Sequence, residues 1–479
     1  MARSTRRTFL TGSMAAIGAG FAIGGTKASG RILGANDTIN LAVAGLNGRG
    51  GAHVGEFSGM EGVRITHLVD PDIRTFDKRV KQVSDRSGNS PKTVQDIRQV
   101  LDDPDVHAVS IATPNHWHSL MAVWACQAGK DVYVEKPCSH NIHEGRVAVE
   151  AARKYDRIVQ HGTQSRSSRS WAELAELSRS GKYGPLLVSR ALCYKPRNSI
   201  GFKPTGPAPS EVDFSLWLGP AQDHPFHENL VHYNWHWFWD FGNGDIGNQG
   251  VHQMDIARWM IPGPTYPTRV VSLGGRFGYE DQGETPNTQI TVMDYGDTQL
   301  VFEVRGLETG EYRGEKVGNI LHFEEGTVAG GKFYPKGSDE AEPLVEVEVE
   351  RGPGDGHFGN FIAAVRSRKK EDLNAEILEG HVSSALCHLA NLSYRVGEPR
   401  SFDTVDEALG TDDVARETVG RMCEHLKDDN GLSLDGMQYR LGRNLRFDGD
   451  AERFINDPQA DELLSRDYRA PFVVPETLA

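Results

Sequence analysis

The chain has 479 residues, five cysteines and a net charge of −14. This length accommodates a leader followed by two substantial domains. The acidic balance argues against nucleic acid or an anionic membrane surface as a partner, because phosphate binding needs clustered Lys and Arg. The cysteine count is odd and contains no Cys-x-x-Cys spacing, so neither a disulfide framework nor a zinc ribbon is indicated.

Residues 1–28 are predicted to form an export signal that is removed. Twin arginines precede Phe-Leu in Thr5-Arg6-Arg7-Thr8-Phe9-Leu10, and the stretch from Thr11 to Thr26 carries no charge. That stretch is shorter than the ~20 apolar residues of a membrane-spanning helix. We therefore predict twin-arginine export of the folded protein to the periplasm. The alternative is an N-terminus with two chance arginines.

Residues 37–160 alternate apolar runs with helical patterns, which predicts a doubly wound parallel sheet of the Rossmann type. The first run ends at Gly45-Leu46-Asn47-Gly48-Arg49-Gly50, which matches G-x-G-x-x-G except at Asn47. Such a turn brings backbone amides to a dinucleotide pyrophosphate. Asp70 follows the second strand, about 20 residues after Gly50, where an acid binds the ribose 2′-hydroxyl. NAD is therefore favoured, while Arg74 nearby is compatible with NADP.

Two further predicted strands end in polar residues. Thr113-Pro114-Asn115 with His118 follows one of them, and Asn115 is a candidate helix cap; Glu135-Lys136-Pro137 follows the next. Together with the glycine-rich turn, this order resembles the Gfo/Idh/MocA oxidoreductases. The resemblance places Lys136 beside the nicotinamide and in contact with the substrate hydroxyl. It also implies that Glu135 and Pro137 shape the turn, with a cis bond before the proline, and that Thr113, Asn115, His118 and Gln164 join the cofactor site.

Residues 161–430 are predicted to form an α+β domain with a mainly antiparallel open sheet. Apolar alternation marks candidate strands at Leu186 to Tyr194, Arg269 to Phe277, Thr288 to Tyr295 and Gln299 to Arg305. The resemblance makes this the domain for substrate and for oligomerisation, and it implies a homodimer or homotetramer. Residues 431–479 are predicted to be an extended tail that packs on the body or on a neighbouring subunit.

The chemically densest stretch runs from Trp235 to Asp255, and its second half runs from Gly244 to Asp255. The family carries D-x-G-x-H-x-x-D here on a helix, and the alignment puts Asn248 at its first Asp and His252 at its His. An asparagine positions a hydroxyl but does not take its proton near neutral pH, so His252 becomes the predicted general base, with a ring pKa suited to that work. Asp245 is a candidate to replace the missing acid.

Substrate contacts are predicted at six positions: Arg166, Tyr194, Trp237, Asp245, Asn248 and His252. Trp237 is included because sugar rings stack on indoles, although Trp235, Trp237 and Trp239 together also fit a packed core ridge. His232, His236 and Asp240 recur at four-residue intervals. Aromatic packing explains that stretch better than metal ligation, so we predict no metal site.

The predicted reaction is hydride transfer between a hydroxyl-bearing carbon of a sugar or cyclitol and a tightly held NAD(P). Lys136, His252 and Asn248 are the predicted catalytic residues. An exported enzyme meets no large pool of free NAD, so it is expected to keep and regenerate its cofactor. Two alternatives stay open, a redox-neutral NAD-dependent glycosidase of the same family and a non-catalytic protein that binds sugar or nucleotide.

Overall fold

The structure is a computed structural model that describes residues 37–410 and 413–478. The predicted export signal lies outside these residues. In the described part of the chain, no helix combines the length and the apolar character needed to cross a bilayer.

The first domain is built on a six-stranded parallel sheet. Its strands are β1 (Ile39–Ala44), β2 (Val63–Val69), β3 (Lys92–Val94), β4 (Ala108–Ile111), β5 (Asp131–Val134) and β6 (Val159–His161). They pair in the order β3-β2-β1-β4-β5-β6. The helices of this domain are α1 (Arg49–Ser58), α2 (Phe76–Ser87), α3 (Arg98–Leu101), α4 (Asn115–Gln127) and α5 (Ile142–Lys154). The predicted doubly wound sheet is confirmed.

The order of this sheet reverses between β1 and β4. Both strands are almost entirely buried and apolar, as expected for parallel strands covered on both faces. The carboxyl ends of β1 and β4 diverge at the reversal and leave a crevice, the usual ligand position in a doubly wound sheet. The glycine-rich turn and Thr113 therefore come to the same edge.

The second domain contains a large open sheet. Its strands are β7 (Leu186–Tyr194), β8 (Arg269–Gly275), β9 (Thr288–Asp294), β10 (Gln299–Arg305), β11 (Val317–Phe323), β12 (Gly326–Ala329), β13 (Lys332–Pro335), β14 (Glu342–Pro343), β15 (Glu398–Ser401), β16 (Gln438–Leu441), β17 (Leu445–Asp448) and β18 (Arg453–Phe454). The order is β14-β13-β12-β11-β7-β10-β9-β8-β16-β15, with β17 joining β8 and β18. Only the β7–β10 pair is parallel among these described strands, which confirms the mainly antiparallel sheet.

Helices pack on one face of this sheet, and apolar side chains from the helices and the sheet together form the core of the second domain. The helices that follow the first domain are α6 (Arg169–Arg179), α7 (Phe214–Leu218), α8 (Gly244–Gly247), α9 (Gly250–Met260), α10 (Gly356–Ser367), α11 (Ile377–Arg395), α12 (Asp413–Glu424) and α13 (Pro458–Glu462). Met254 of α9 and Leu386 of α11 are buried in one apolar cluster with Phe302 of β10. This packing fixes α9, the helix that carries His252, against the sheet.

Two segments that lie far along the chain pack against the first domain. Phe361 of α10 packs with Leu41 of β1, so this helix covers the first sheet although it lies far along the chain. Phe472 packs against Trp117 of α4 with ring centroids 5.4 Å apart. The tail after residue 430, expected to be extended, instead holds strands β16 to β18 and helix α13. Pairing of β16 and β17 with β8 satisfies backbone groups that an edge strand would expose.

Candidate active site

The crevice at the carboxyl ends of β1 and β4 continues into a cleft between the two domains, here called the interdomain cleft. The first domain contributes most of the residues predicted for the cofactor, and the second domain closes the other side. The lining residues are Gly45, Leu46, Asn47, Gly48, Arg49, Asp70, Pro71, Ala112, Thr113, Pro114, Asn115, His118, Glu135, Lys136, Trp217, His232, Tyr233, Trp235, His236 and Asn248.

The glycine-rich turn has no room for side chains on its inner face. A Cβ on Gly45, whose φ is +81°, would lie 2.5 Å from the Ala112 carbonyl, and one on Gly50 would lie 1.7 Å from the Gly45 carbonyl oxygen. Gly48 takes a φ of +45° beside Asn47, and a Cβ there would meet nothing within 4 Å. Gly48 therefore supplies the conformational freedom that Asn47 lacks, and the cleft side of the turn stays open.

This crevice fits a dinucleotide on two further observations. Helix α1 begins at Arg49 with no capping side chain among the described residues, so its first amides are available to an anionic group. The Thr113 hydroxyl lines the cleft and is buried without a hydrogen-bond partner in the described structure. Gly45 to Arg49, Asp70 and Thr113 would hold NAD.

Asp70 sits at the end of β2 and is almost fully buried. Its two carboxylate oxygens accept hydrogen bonds from the backbone N–H groups of Leu46 at 2.8 Å and Asp72 at 2.9 Å. Burial raises the pKa of Asp70 to about 6 despite these bonds. Arg74 turns away to Asp72, donating from Nε at 2.8 Å. The Asp70 carboxylate thus faces the ribose position, while Arg74 is bonded to Asp72. This arrangement favours the ribose 2′-hydroxyl of NAD over the 2′-phosphate of NADP.

Glu135 anchors a buried chain beneath the glycine-rich turn. Its Oε1 accepts from Arg49 Nε at 2.7 Å and from His53 Nε2 at 3.0 Å, and His53 Nδ1 lies 2.7 Å from the Ser110 hydroxyl. Burial alone would raise the pKa of Glu135, but the His53 hydrogen bond and the Arg49 charge hold it well below its usual range. The carboxylate therefore fixes Arg49 at the cleft wall.

Lys136 joins the two domains. It precedes Pro137 through a cis bond, as the resemblance implied. Its Nζ donates to the Asn248 backbone oxygen at 2.9 Å and lies 3.4 Å from Asn248 Oδ1. Burial lowers the pKa of the Lys136 amine. The structure therefore brings together Lys136 and Asn248, two of the three predicted catalytic residues.

His252 lies on the first turn of α9, four residues after Asn248. Burial, followed by the nearby charge of Lys136, lowers the pKa of its ring to about 3. The expectation of a ring pKa near neutrality is therefore wrong. His252 is neutral at physiological pH, and its ring makes no hydrogen bond to any other described residue.

Arg166 and Tyr194 lie elsewhere. Arg166 Nε donates to both oxygens of buried Asp255, at 2.9 and 3.0 Å, and its Nη1 is 3.0 Å from Glu379. Tyr194 donates its hydroxyl to Glu303 at 2.7 Å under helix α12, where Arg421 also contacts it. Both side chains satisfy buried charges away from the interdomain cleft, so the structure assigns them structural contacts in place of the predicted substrate contacts.

Asp245 and Trp237 are close to the site but do not line the cleft. Asp245 is buried and receives two hydrogen bonds from Arg197, at 2.7 and 2.9 Å. The same guanidinium lies 5.3 Å from the centre of the Trp237 ring. Because Arg197 occupies Asp245, this carboxylate does not replace the acid missing at position 248.

Two smaller expectations change, for the Asn115 cap and for Gln164, while His118 lines the cleft. Asn115 does not cap α4; its Nδ2 donates to Asn243 Oδ1 in the second domain at 3.0 Å. Gln164 begins a 3₁₀ turn after β6 and is not a lining residue. His118 lies between two carbonyl oxygens, of Pro137 at 2.6 Å and Thr113 at 2.7 Å, so it holds the two polar turns together.

Sequence reasoning missed the second-domain wall of the cleft. The aromatic side chains that line it are Trp217, Tyr233, Trp235 and His236. His232 Nε2 lies 2.7 Å from Asp72 Oδ2 and so ties this wall to the first domain. The four-residue spacing of His53 after Arg49 on α1 was a usable signal for the Glu135 chain. No local signal pairs His232 with Asp72, which is 160 positions away.

Two family models match most of the chain. The Gfo/Idh/MocA "oxidoreductase family, NAD-binding Rossmann fold" matches residues 39–163. The C-terminal α/β domain of the same family matches residues 201–426. The predicted NAD-binding domain is thereby confirmed.

Curated relatives match part of the chain. A glycosyl hydrolase family 109 protein of Solibacter usitatus (strain Ellin6076) is 36% identical over 157 residues, covering 30% of this chain and 35% of that protein. The levoglucosan dehydrogenase of Pseudarthrobacter phenanthrenivorans (strain DSM 18606 / JCM 16027 / LMG 23796 / Sphe3) is 23% identical over 253 residues, covering 49% of this chain and 58% of that protein. The chain thus matches less than two thirds of either relative's length.

Solved structures share the fold. The WlbA dehydrogenase from Bordetella pertussis, in complex with NADH and UDP-GlcNAcA, superposes with a TM-score of 0.55 at 16% identity, covering 75% of this chain and 97% of that one. A levoglucosan dehydrogenase in complex with NADH and L-sorbose gives 0.51 at 16% identity, covering 74% and 96%. The chain belongs to the Gfo/Idh/MocA family of NAD-binding oxidoreductases.

Proposed function

We propose that the protein oxidises a hydroxyl-bearing carbon of a sugar or cyclitol, with NAD in the interdomain cleft as the hydride acceptor. The observation that carries the proposal is the Lys136 amine. It is held at the junction of both domains by neutral oxygens of Asn248 and lines the same cleft as the glycine-rich turn. NAD supplies the ring that takes the hydride, while the protein supplies placement and charge.

Lys136 and Asn248, which line the cleft, and His252 on the first turn of α9 divide the remaining work. The Lys136 ammonium holds the substrate oxygen and stabilises negative charge as its proton leaves. The Asn248 side chain positions the same oxygen, since its Oδ1 lies 3.4 Å from Lys136 Nζ. His252, kept neutral by burial, accepts the proton. A ring with so low a pKa is a weak acceptor, so the transfer requires Lys136 to acidify the substrate hydroxyl by stabilising the oxygen anion.

We propose further that the cofactor is tightly held and that the enzyme works after twin-arginine export to the periplasm. Trp217, Tyr233 and Trp235 cover the cleft from the second domain, and the His232–Asp72 contact closes it near the ribose position. A cofactor enclosed in this way leaves slowly, which suits a compartment without free NAD. Assembly as a homodimer or homotetramer stays a prediction.

A second candidate is a redox-neutral glycosidase, which the likeness to the Solibacter glycosyl hydrolase family 109 protein favours. In that reaction a ring carbon is oxidised, and the adjacent C–H bond becomes acidic. Loss of this proton expels the aglycone, water adds to the resulting double bond, and the returned hydride restores the alcohol. The chemistry needs the same Lys136 and cofactor, so only the products separate the two candidates.

One experiment tests both candidates. Purified protein is mixed with NAD and a panel of sugars, cyclitols and aryl glycosides while the reduced-nicotinamide absorbance and aglycone release are recorded. Reduction by an unsubstituted sugar or cyclitol supports the oxidoreductase. Aglycone release without net reduction supports the glycosidase. Binding without either product would mean that the protein is a non-catalytic sugar- or nucleotide-binding protein.

A further inference from the structure

A second cavity lies on the other side of the domain junction. Its volume is about 570 Å³, within the roughly 300–1,000 Å³ of small-molecule sites. The turn after Lys136, the second domain and the C-terminal tail all contribute to it; its main lining residues are His140, Trp239, Asp240, Arg395, Glu462 and Asp467. We call it the seam cavity.

Asn243 separates the seam cavity from the interdomain cleft. Its Oδ1 accepts from Asn115 Nδ2, which belongs to the cleft, and its Nδ2 donates to the His140 backbone oxygen, which belongs to the cavity, both at 3.0 Å. Asn243 is buried, and Asn391 Nδ2 donates to its backbone oxygen at 2.8 Å. The two spaces are therefore distinct, and a ligand in one does not occupy the other.

The His140 ring, in the wall of this cavity, carries a buried donor that has no partner in the described structure. Arg466 Nη1 donates to His140 Nδ1 at 3.2 Å, so the ring proton sits on Nε2. Nε2 is buried and has no hydrogen-bond partner in the described structure. Burial lowers the pKa of His140, which keeps the ring in this neutral form. The wall of the seam cavity therefore holds a neutral polar ring whose N–H is unsatisfied.

The rim of the seam cavity carries both hydrogen-bond donors and hydrogen-bond acceptors that lack a partner among the described residues. The Arg395 guanidinium lies 5.2 Å from the centre of the Trp239 ring and donates no hydrogen bond to a described residue. The carboxylates of Glu462 and Asp467 accept none from the described residues, and Asp240 lies 3.8 Å from Arg466. Hydrogen-bond donors and acceptors therefore lie together at the opening of the seam cavity, beside the Trp239 indole.

We propose that the seam cavity binds a neutral polyhydroxylated ligand, namely a sugar ring, as a second site apart from the interdomain cleft. Three carboxylates against two guanidiniums leave little net charge, which disfavours a strongly charged ligand. Each sugar hydroxyl both donates and accepts hydrogen bonds. It therefore matches a rim on which Arg395 is a donor and Asp467 is an acceptor. The proposal goes beyond the oxidoreductase reaction and does not require turnover.

The first test is crystallographic. Crystals of the NAD-bound enzyme are soaked in D-glucose or in cellobiose. We expect sugar density in the seam cavity with hydroxyls in hydrogen-bond contact with Arg395 and Asp467. Sugar in the interdomain cleft alone, or in neither place, would overturn the proposal.

The second test is in solution, with calorimetric titration of the holoenzyme by the same sugars. Asp467→Asn and Arg395→Ala should each weaken binding at this site at least tenfold and leave turnover at the cleft unchanged. Arg453→Ala, which removes an exposed arginine elsewhere, is the matched control. Unchanged affinity in both variants would refute the site. Seam binding that survives in a protein unable to reduce NAD would defeat the proposed function and leave the second site standing.

Discussion

Replacement of Lys136 by alanine tests the proposed chemistry at one atom. The substitution removes the ammonium that holds the substrate oxygen and leaves the glycine-rich turn and Asp70 untouched. Loss of one donor to a developing oxyanion costs about 3 kcal/mol in characterised enzymes. At 1.36 kcal/mol per tenfold in rate, that cost corresponds to a fall of roughly 150-fold in kcat. We therefore expect a large loss of rate with the bound cofactor retained.

The assay for this variant has two readouts. Rapid mixing with substrate follows reduced nicotinamide, and chromatography of the denatured protein measures its nucleotide content. Lys78→Ala is the matched control, because Lys78 is an exposed lysine on α2. An unchanged rate in Lys136→Ala would refute the role of this amine. Loss of the nucleotide together with the rate would show that Lys136 holds the cofactor and would remove the evidence for its part in the reaction.

Four further outcomes follow from the structure. NAD affinity measured by titration should fall below about pH 6, as the Asp70 carboxylate becomes protonated, and Asp70→Asn should abolish that dependence. With NAD saturating, the kcat/KM profile for the substrate should show no loss between pH 6.5 and about 5, because the His252 pKa is about 3; an acid limb in that range would contradict the assignment of His252. His232→Ala breaks the contact with Asp72 and should speed NAD release in a chase experiment about tenfold, or 1.4 kcal/mol; an unchanged rate would mean the contact does not retain cofactor. Glu303→Ala leaves three buried or half-buried arginines without their carboxylate partner and should lower the free energy of unfolding by about 3–5 kcal/mol in denaturant unfolding. A loss below ~1 kcal/mol would show that this group of arginines is hydrated.

Periodic apolar patterns in the sequence predicted most of the fold. The predicted strands Leu186 to Tyr194 and Gln299 to Arg305 match β7 and β10 to the residue, and the two between them end within two residues of β8 and β9. Apolar alternation reports burial on a sheet directly, which explains this success. The prediction of an extended tail was wrong because its strands are short and polar, and they form by pairing with β8, with β15 and with each other.

The cofactor side of the site was more predictable than the substrate side. Turn glycines and Asp70 follow from local backbone requirements at the ends of strands. The destinations of Arg166 and Tyr194 depend on which buried carboxylate, Asp255 or Glu303, lies within reach in three dimensions. Neither partner is near in sequence, so residue type alone could not separate a structural ion pair from a substrate contact.

The character of His252 shows a further limit. Its residue type suggests a pKa near neutrality, and its position in the family motif suggests a base. The low pKa arises from burial and from the charge of Lys136, both of which depend on the packing of α9 against the sheet. Sequence therefore identified the group and its neighbours in the motif but not its proton affinity.

The most direct test of the central claim is the nucleotide content of protein purified without added cofactor, followed by its absorbance on mixing with the sugar and cyclitol panel. We predict that NAD(H) co-purifies in stoichiometric amount and that at least one sugar or cyclitol changes the absorbance band of the reduced nicotinamide. Protein that carries no nucleotide, binds none when NAD is added and leaves every sugar unchanged would contradict the account.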